Sequence, residues 1–343
     1  MRPPARPSPA TDRALTPGPF AKGSLDPGSV DPALAARFVA DLAGLWRRPG
    51  RLALAVSGGP DSLALLLLAH AARPGDVEAA TVDHGLRPAA AAEAATVGAI
   101  CAALGVPHRT LTVTVPPGNV QSAARAARYA ALAGWMADHG LAALLTAHHA
   151  DDQAETLLLR LNRASGVAGL AGVRANGLVP GSRLPLLRPL LGWRRAELGA
   201  VVAAAGLTAA DDPSNTDPRF DRARLRAALA GADWLDVPAL ARSAAHLAEA
   251  DAALDWAAAR EWQEAVSPGA LGSYVYRPQA PRAVALRVLA RLVEKLDGSA
   301  PRGSAVAQLF DTLVAGQPGS LGGLVARPLP EGWSLAKAPA RRG

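Results

Sequence analysis

The 343-residue sequence contains a single cysteine, Cys101. One cysteine cannot form an internal disulfide, and it cannot supply a cysteine-based zinc cluster, an iron–sulfur site or a CxxC redox pair. The sequence also lacks any uninterrupted run of about 18 apolar residues, which is the length that a membrane-spanning helix needs. Its richest apolar stretch, residues 63–72, is short and contains His70. We therefore expect a protein without a disulfide framework and without a membrane partner.

The N-terminal segment lacks the apolar core of a secretory signal, because prolines stand at positions 3, 4 and 7. Residues 1–30 are rich in Pro, Ser and Gly and show no periodicity. We expect these residues to form a disordered tail, and we expect the protein to be cytoplasmic.

Lysine is scarce, since only Lys22, Lys295 and Lys337 among the 36 basic residues are lysines and the others are arginines. The formal net charge is +7. A basic excess favours polyanionic partners such as nucleic acid. A biased codon composition would produce the same arginine-rich and alanine-rich sequence, so charge alone leaves both interpretations open.

From Leu52 onward, short apolar runs alternate with longer helical segments, which is typical of a parallel sheet with crossover helices. The first helix signal is Asp31 as N-cap followed by Pro32. We predict strands at 52–56, 78–82, 109–115 and 143–147, and helices near 62–73, 90–104 and 121–139. This pattern indicates a doubly wound, mostly parallel α/β domain over residues 31–230, with ligands beyond the carboxyl ends of its strands.

The strand pattern stops after residue 231. Helical patterns follow near 238–264, 282–296 and 304–315. A terminal hairpin is predicted from residues 324–327 and 333–336, which flank the Pro- and Gly-containing segment 328–332. We therefore predict a second, smaller and mainly helical domain over residues 231–343.

The clearest chemical motif is Ser-Gly-Gly-Pro-Asp-Ser at 57–62, between the first strand and an apolar helix. Glycines let backbone N–H groups approach an anion, and the helix N-terminus and two hydroxyls add donors for phosphate oxygens. The motif is neither a Walker A loop nor a GxGxxG loop. A capped turn is the alternative, but the strand–loop–helix context favours a pyrophosphate cradle made by Ser57, Gly58, Gly59, Pro60, Asp61 and Ser62.

Two further segments follow predicted strands. Asp83 and His84 end the second strand, where they are candidates for ribose or base contacts, or else for a capped turn. The run from Thr146 to Thr156 ends the fourth strand, and its His148, Asp152 and Glu155 share one face if the helix begins by His148, with Asp151 beside them. Such a group can hold a divalent cation or a cationic substrate, although carboxylates in a first helical turn are the plain alternative.

Arginines form two candidate sets for binding phosphate. Arg125 and Arg128 lie three positions apart on one predicted helix, and Arg222, Arg224 and Arg226 alternate along the chain. Either set suits a triphosphate or a nucleic-acid backbone, because guanidinium groups bind phosphate in a bidentate geometry. A solvated or salt-bridged surface is the alternative.

These motifs resemble those of a known family. The 57–62 loop is similar to that of the PP-loop ATP pyrophosphatases, and residues 146–172 are similar to the signature of tRNA(Ile)-lysidine synthases. Segments 82–87, 124–129, 188–191 and 212–215 stand in the order that this family shows, so the resemblance covers about residues 50–230. The sequence departs from the family pattern at Ala164, Val173 and Ala223, where Gly, Met and Asn are common.

The resemblance implies a ligase that uses ATP and free lysine to convert the wobble cytidine of a CAU-anticodon isoleucine tRNA to lysidine. Adenylation of the cytosine 2-oxygen releases pyrophosphate, and the lysine ε-amine then displaces AMP. In that scheme Asp61 and Asp152 hold Mg²⁺, Asp151 and Glu155 bind lysine, and His148 handles protons. ATP contacts are then expected from the loop, Asp83, His84 and Arg128, and tRNA or phosphate contacts from Arg125, Arg222, Arg224 and Arg226.

Three other functions are open for such a fold. A tRNA thiolase needs cysteine for sulfur transfer, which Cys101 inside a predicted helix does not suit. A small-molecule amidating synthetase agrees less well with the basic charge and the match at 146–172. A non-catalytic tRNA-binding protein would not need the intact acidic residues. We expect the C-terminal domain to contact tRNA, and the sequence leaves homodimer formation open.

Overall fold

The structure is a computed structural model, and it describes residues 30–85, 89–114, 120–210, 219 and 221–338. The predicted disordered tail and the motif at 212–215 lie outside the described residues. The chain divides into two compact units, of which the first ends at Ala245 and the second begins at His246. This division falls later in the chain than the predicted boundary after residue 230, which stays a prediction.

The first unit is built on a six-stranded sheet with the order β3-β2-β1-β4-β6-β5. All neighbouring strands pair in parallel except β5, which is antiparallel to β6. The strands are β1 (Leu52–Ala55), β2 (Val77–Asp83), β3 (His108–Thr112), β4 (Ala143–Leu145), β5 (Asn176–Leu178) and β6 (Pro185–Leu187). The predicted doubly wound, mostly parallel sheet is therefore confirmed.

Eight helices accompany this sheet in the described part of the chain before residue 231. They are α1 (Pro32–Leu45), α2 (Pro60–Ala72), α3 (Ala89–Leu104), α4 (Val120–His139), α5 (Ala150–Leu161), α6 (Val167–Leu170), α7 (Arg195–Ala204) and α8 (Asp221–Ala230). The predicted N-cap is confirmed, because the Asp31 carboxylate accepts a hydrogen bond from the Ala33 N–H at 2.8 Å. Helices α2, α3 and α4 are the three predicted crossover helices.

The two faces of the sheet pack against different helices. Leu52 and Leu54 of β1 join one core with the fully buried residues of α2, whereas Ala53 joins a second core with Tyr129 and Trp135 of α4. This alternation follows from the two-residue period of a strand. Because α2 packs inside a layered unit, its residues 62–69 are all buried, which explains why the segment is apolar on every side.

The strand order places the change of chain direction between β1 and β4. From β1 the chain moves outward through β2 to β3, and it then returns to the other side of β1 with β4. In open parallel sheets, ligands bind where the strand order reverses, beyond the carboxyl ends of the strands. The segments that follow β1 and β4 are Ser57–Ser62 and His148–Asp152, so the fold brings the two main sequence motifs to this point.

The second unit contains a five-stranded antiparallel sheet with the order β7-β8-β11-β10-β9. The predicted terminal hairpin is confirmed as β10 and β11, but the expectation that strands otherwise stop after residue 231 is wrong. The elements from residue 237 onward are α9 (Val237–Ala265), β7 (Val266–Pro268), β8 (Tyr274–Tyr276), α10 (Arg282–Asp297), α11 (Gly303–Val314), β9 (Gly319–Leu321), β10 (Leu324–Leu329) and β11 (Gly332–Lys337).

The core of the second unit forms where amphipathic helices cover this sheet. Leu289 of α10 and Leu309 of α11 are buried with Trp333 of β11, and the Trp333 ring packs edge-on against Phe310 at 5.3 Å and Tyr276 at 5.7 Å between ring centroids. Aromatic pairs in this geometry stabilise a core beyond their buried area. Among the described helices of the whole chain, none is long and apolar enough to cross a membrane.

Candidate active site

The loop between β1 and α2 has the backbone that the glycines predict. Gly58 adopts φ +90°, and a Cβ atom there would lie 3.3 Å from Val97 Cγ2. Gly59 is the N-cap of α2 and provides no side-chain cap for the helix. The Ser62 hydroxyl accepts a hydrogen bond from the Ser57 N–H at 3.1 Å and donates to the Gly59 carbonyl at 2.9 Å. The Ser62 hydroxyl thus stabilises the loop conformation. The sequence predicts it only as a donor to phosphate.

A cavity of about 610 Å³ opens at the carboxyl ends of β1, β2 and β4. This volume lies in the range of small-ligand sites. The predicted site residues that line it are Ser57, Gly59, Pro60, Asp61, Ser62, His84, Arg128, His148 and Asp152. The predicted residues that do not line it are Gly58, Asp83, Arg125, Asp151, Glu155, Arg222, Arg224 and Arg226. The structure therefore brings the phosphate loop and the metal candidates to one cavity, whereas the lysine candidates are not part of its lining.

The acidic segment begins its helix later than the shared-face prediction assumed. Helix α5 starts at Ala150, with His149 as its N-cap in an extended conformation. His148 therefore precedes the helix, and the prediction that it shares a helical face with Asp152 and Glu155 is wrong. Because α5 begins at Ala150, His149 is the buried N-cap, whereas His148 precedes the cap and lines the cavity. Helical periodicity alone does not show where the helix begins.

His149, which sequence reasoning did not assign, lies between the carboxylates of the site. Its Nδ1 accepts a hydrogen bond from the Asp152 N–H at 3.4 Å, and its Nε2 lies 3.3 Å from Asp61 Oδ2 and 3.6 Å from Asp152 Oδ2. The residue is completely buried. Burial alone would lower the pKa of His149, but the Asp61 hydrogen bond and the Asp152 and Asp61 charges outweigh it and raise that pKa.

Asp61 and Asp152 form the part of the site that suits a divalent cation. Asp61 Oδ1 is buried and has no hydrogen-bond partner among the described residues. Burial raises the pKa of Asp152, the nearby His149 lowers it, and the Glu155 and Asp61 charges add to the rise. No group of three His, Cys, Asp or Glu side chains with metal-binding geometry occurs in the described residues. Mg²⁺ is usually held by one or two carboxylates together with substrate phosphates and water, so this pair fits it.

The two lysine-binding candidates are already paired with arginines of α7 and α8. Asp151 accepts hydrogen bonds from the Arg195 N–H at 2.8 Å and from Arg194 Nε at 3.2 Å. Burial alone would raise the pKa of Asp151, but these hydrogen bonds lower it. The buried Glu155 carboxylate accepts from Arg226 Nε at 3.0 Å and Arg195 Nη2 at 3.1 Å. The assignment of Asp151 and Glu155 to lysine stays a prediction. Their partners Arg194 and Arg195 are not predicted from the sequence motifs.

His148 faces the cavity in a strongly basic environment. Its Nδ1 lies 3.0 Å from the Thr146 hydroxyl oxygen. Burial, and to a smaller extent the charges of Arg188, Arg128, Arg125 and Arg222, together lower the pKa of His148 to about 3. The imidazole is therefore neutral at pH 7.

Tyr129 holds two of these arginines in place. The guanidinium carbon of Arg125 lies 5.0 Å from the centroid of the Tyr129 ring, and that of Arg128 lies 5.1 Å from it. The ring is buried and lines the cavity. Contacts of this kind are favourable cation–π interactions, so Tyr129 orients positive charge toward the site.

The segment after β2 combines both interpretations that the sequence left open. The Asp83 carboxylate accepts a hydrogen bond from the Gly85 N–H at 2.8 Å, so this side chain closes a turn as in the structural alternative. His84 lines the cavity, and its buried Nδ1 has no partner among the described residues. Burial and the Arg128 charge lower the pKa of His84, against the opposing charge of Asp83. Leu86 and Arg87 of this motif lie outside the described residues.

The alternating arginines lie on helix α8, which the sequence analysis had not predicted. Arg226 turns toward Glu155, and Arg222, one turn earlier, donates to the Thr156 hydroxyl at 3.4 Å. Arg224 lies on the other side of the helix, where it pairs with Asp221. The three arginines therefore do not all share one face, because a helix places positions two residues apart on different sides, and their assignment to phosphate stays a prediction.

Two structural details concern the family-like stretch after α5. Gln153 binds both backbone polar groups of one residue, with the Val173 N–H donating to its Oε1 at 2.7 Å and its Nε2 donating to the Val173 carbonyl at 2.8 Å. Gly172 adopts φ +62°, and a Cβ there would lie 2.5 Å from Gln153 Oε1. Ala164 adopts φ +50°, a left-handed conformation that favours glycine.

Comparisons with known proteins show the family to which the chain is similar. A family model described as a PP-loop domain matches residues 33–232. A tRNA(Ile)-lysidine synthase of Novosphingobium aromaticivorans is 50% identical over 314 residues, which cover 90% of this chain and 95% of the relative. A tRNA(Ile)-lysidine synthase of Zymomonas mobilis subsp. mobilis is 40% identical over 298 residues, which cover 85% of this chain and 90% of the relative.

Among solved structures, the chain is similar to a U34-tRNA thiolase from Methanococcus maripaludis described with its 4Fe–4S cluster. The TM-score is 0.50 at 16% sequence identity, with 62% of this chain and 78% of that chain covered. This likeness shows a shared fold alone. The single Cys101 cannot supply a cysteine-ligated cluster of that kind.

Proposed function

Because the chain belongs to the family of tRNA(Ile)-lysidine synthases, we propose that it uses ATP to join free lysine to carbon 2 of the wobble cytidine in a CAU-anticodon isoleucine tRNA. The observation that carries this proposal is the cavity at the reversal of strand order, where a glycine-rich loop faces the carboxylates of Asp61 and Asp152. Such a cavity suits release of pyrophosphate from ATP with in-line attack by a bound base.

The first step requires a cradle for the leaving pyrophosphate. The N-terminus of α2 opens onto the cavity through Gly59, Pro60 and Asp61. Helix N-termini bind anions because their first N–H groups are free and the helix dipole favours negative charge. We assign this loop to the β- and γ-phosphates and Arg128 to the same nucleotide, so that the cytosine 2-oxygen can approach the α-phosphate.

The proposed cation ligands are Asp61 and Asp152. When bound with ATP, Mg²⁺ would neutralise charge on phosphate oxygens as the leaving group separates. The unpartnered Asp61 Oδ1 and the neighbouring Asp152 carboxylate give this chain two anionic oxygen donors on the cavity wall. The charge of Asp61 raises the pKa of Asp152, and a bound cation would offset this repulsion.

His148 is proposed to contact the reacting cytosine or a phosphate of ATP as a neutral imidazole. Burial and the surrounding arginines together lower its pKa to about 3. A bound triphosphate would offset those positive charges and raise the pKa of His148, because opposite charges favour the protonated form. This environment supports a proton-handling role that operates after ATP has bound rather than before.

Arginines occupy the carboxylates of Asp151 and Glu155, so we assign these two residues to holding the helices together, and their predicted binding of lysine is tested by the Glu155→Gln variant. Arg222, which reaches the Thr156 hydroxyl near the site, remains a candidate for tRNA phosphate together with Arg125. Arg224 pairs with Asp221 and Arg226 is held by Glu155, which makes tRNA contacts by these two less favourable.

The environment of Cys101 supports ligation over thiolation. Its side chain is fully buried in α3, and burial raises the pKa of the thiol to about 12. A sulfur-transfer cysteine needs an accessible thiolate. The competing thiolase interpretation therefore has no suitable cysteine in this chain.

The decisive experiment incubates the protein with ATP, isotopically labelled lysine and an isoleucine tRNA that carries a CAU anticodon. Nuclease digestion and mass spectrometry should show wobble cytidine increased in mass by one labelled lysine less one water. Pyrophosphate release should require tRNA. Formation of the modified cytidine should require lysine, and neither ammonia nor glutamine should replace it. An unmodified cytidine with undisturbed tRNA binding would indicate a non-catalytic binder, and product formation with ammonia would indicate an amidating enzyme.

A further inference from the structure

His149 is an unusual residue for the structural position that it occupies. Helix N-caps are normally Ser, Thr, Asp or Asn, whose short side chains reach the N–H groups of the first turn. In α5 the imidazole performs this task instead, with Nδ1 accepting from the Asp152 N–H and the Asp152 carboxylate accepting from the His149 N–H at 3.2 Å. A capping box therefore accounts for only one of the two ring nitrogens.

The second ring nitrogen points to a further role. With Nδ1 directed at the Asp152 N–H, Nε2 faces the two carboxylates and lies 3.3 Å from Asp61 Oδ2 and 3.6 Å from Asp152 Oδ2. These carboxylates come from the first turns of two different helices, α2 and α5. His149 is fully buried, and Nε2 and Asp61 Oδ1 both lack an ideal hydrogen-bond partner among the described residues. A shorter capping residue would serve α5 equally well but would not reach Asp61.

We infer that His149 is a positioning residue, which holds Asp61 and Asp152 at a fixed separation and thereby prepares both carboxylates for the divalent cation that accompanies ATP. The inference deepens the proposed function and rests on its assignment of these two carboxylates. Groups that orient metal ligands from behind commonly change metal affinity or activity by about 10–100-fold when they are removed.

The test replaces the imidazole by residues that keep the cap. His149→Asn and His149→Ser both accept a hydrogen bond from the Asp152 N–H, but neither side chain reaches Asp61. Mn²⁺ is used as the probe for the cation, and its binding is followed by electron paramagnetic resonance in the presence of α,β-methylene-ATP. We expect both variants to bind Mn²⁺ about 10–100-fold more weakly than the wild-type protein, with melting temperatures close to that of the wild type.

Two further variants calibrate this measurement. Asp152→Asn removes a proposed ligand and should weaken Mn²⁺ binding directly. Asp31→Ala removes the N-cap of α1, where the Asp31 carboxylate accepts from the Ala33 N–H, so it should lower the melting temperature and leave Mn²⁺ binding unchanged. This control separates the loss of a helix cap from the loss of carboxylate positioning.

Wild-type Mn²⁺ affinity in both His149 variants, with weakened binding in Asp152→Asn, would overturn the inference and leave His149 as a helix cap alone. Failure of both variants to fold while Asp31→Ala folds would also overturn it, because His149 would then act on stability. The measurement needs neither tRNA nor lysine. Absence of lysidine formation by the wild-type protein would therefore refute the proposed function without affecting this result.

Discussion

Replacement of Glu155 by glutamine distinguishes a lysine-binding carboxylate from one that joins helices. The side chain is 2% exposed, and it joins α5 to α7 through Arg195 and to α8 through Arg226. Removing one partner of a buried ion pair costs about 3–5 kcal/mol. Both arginine side chains are about one-third exposed, and solvent compensates part of that loss, so we expect Glu155→Gln to destabilise the first unit by about 2–3 kcal/mol.

That loss corresponds to a fall in melting temperature of roughly 5–10 °C for a unit of this size. Thermal and urea unfolding measure the stability, and AMP release at varied lysine concentration measures KM for lysine. We expect lower stability with KM for lysine unchanged. The matched control is Glu197→Gln, because Glu197 pairs with Arg37 but is 37% exposed, and glutamine preserves its capping box with the Arg194 N–H. The control should lose less than about 1 kcal/mol.

A Glu155→Gln variant with wild-type stability and a KM for lysine raised tenfold or more would refute this reasoning. Such a result would mean that the carboxylate exchanges its arginine partners for the substrate ammonium. It would confirm the assignment that the sequence motif suggested.

Four other outcomes follow from the structure. Asp61→Asn should abolish pyrophosphate release while leaving tRNA affinity, measured by filter binding, nearly unchanged; undiminished turnover at ordinary Mg²⁺ would contradict the cation assignment. His148 has a pKa lowered from 6.5 to about 3, so the unfolded state takes up its proton first and the wild type should lose stability as pH falls below 6.5. In unfolding titrations His148→Gln should remove up to about 2 kcal/mol of this loss at about pH 5, and an identical pH profile would show a normal imidazole. The thiol of Cys101 should react with a disulfide reagent only after unfolding, because a pKa near 12 instead of 9.0 lowers the thiolate fraction about a thousandfold; rapid reaction of the native protein would contradict its burial. Ala164→Gly should raise the free energy of unfolding by about 1 kcal/mol, since Ala164 adopts a positive φ, and no gain would indicate that the strain is absent in solution.

The parts of the site that the sequence predicted are those made by local patterns. The glycines and hydroxyls at 57–62 lie directly between a strand and a helix. The alternation of strands and helices predicts parallel strands, whose carboxyl ends lie at the same edge of the sheet. These features depend on neighbours a few residues apart, so their backbone follows from residue type and spacing. The same is true of the N-cap at Asp31.

Other parts depend on contacts between distant segments, which a single sequence does not display. Arg195 and Arg226 reach Glu155 from 40 and 71 residues away, and nothing in their own surroundings identifies that carboxylate as their partner. Whether His148 or His149 is the N-cap depends on a shift of one residue in the start of α5. Strands β7, β8 and β9 each have three residues, which is too short for a two-residue alternation to be recognised.

The paired hydrogen bonds between Gln153 and the Val173 peptide make one backbone amide a reporter for events in the cavity. Gln153 directly follows Asp152 in the first turns of α5, so any rearrangement that loosens or tightens this turn also acts on the Val173 amide proton. Exchange of that proton with solvent requires the clamp to open. Its exchange rate therefore measures how firmly the acidic turn is held, at a residue that does not line the cavity.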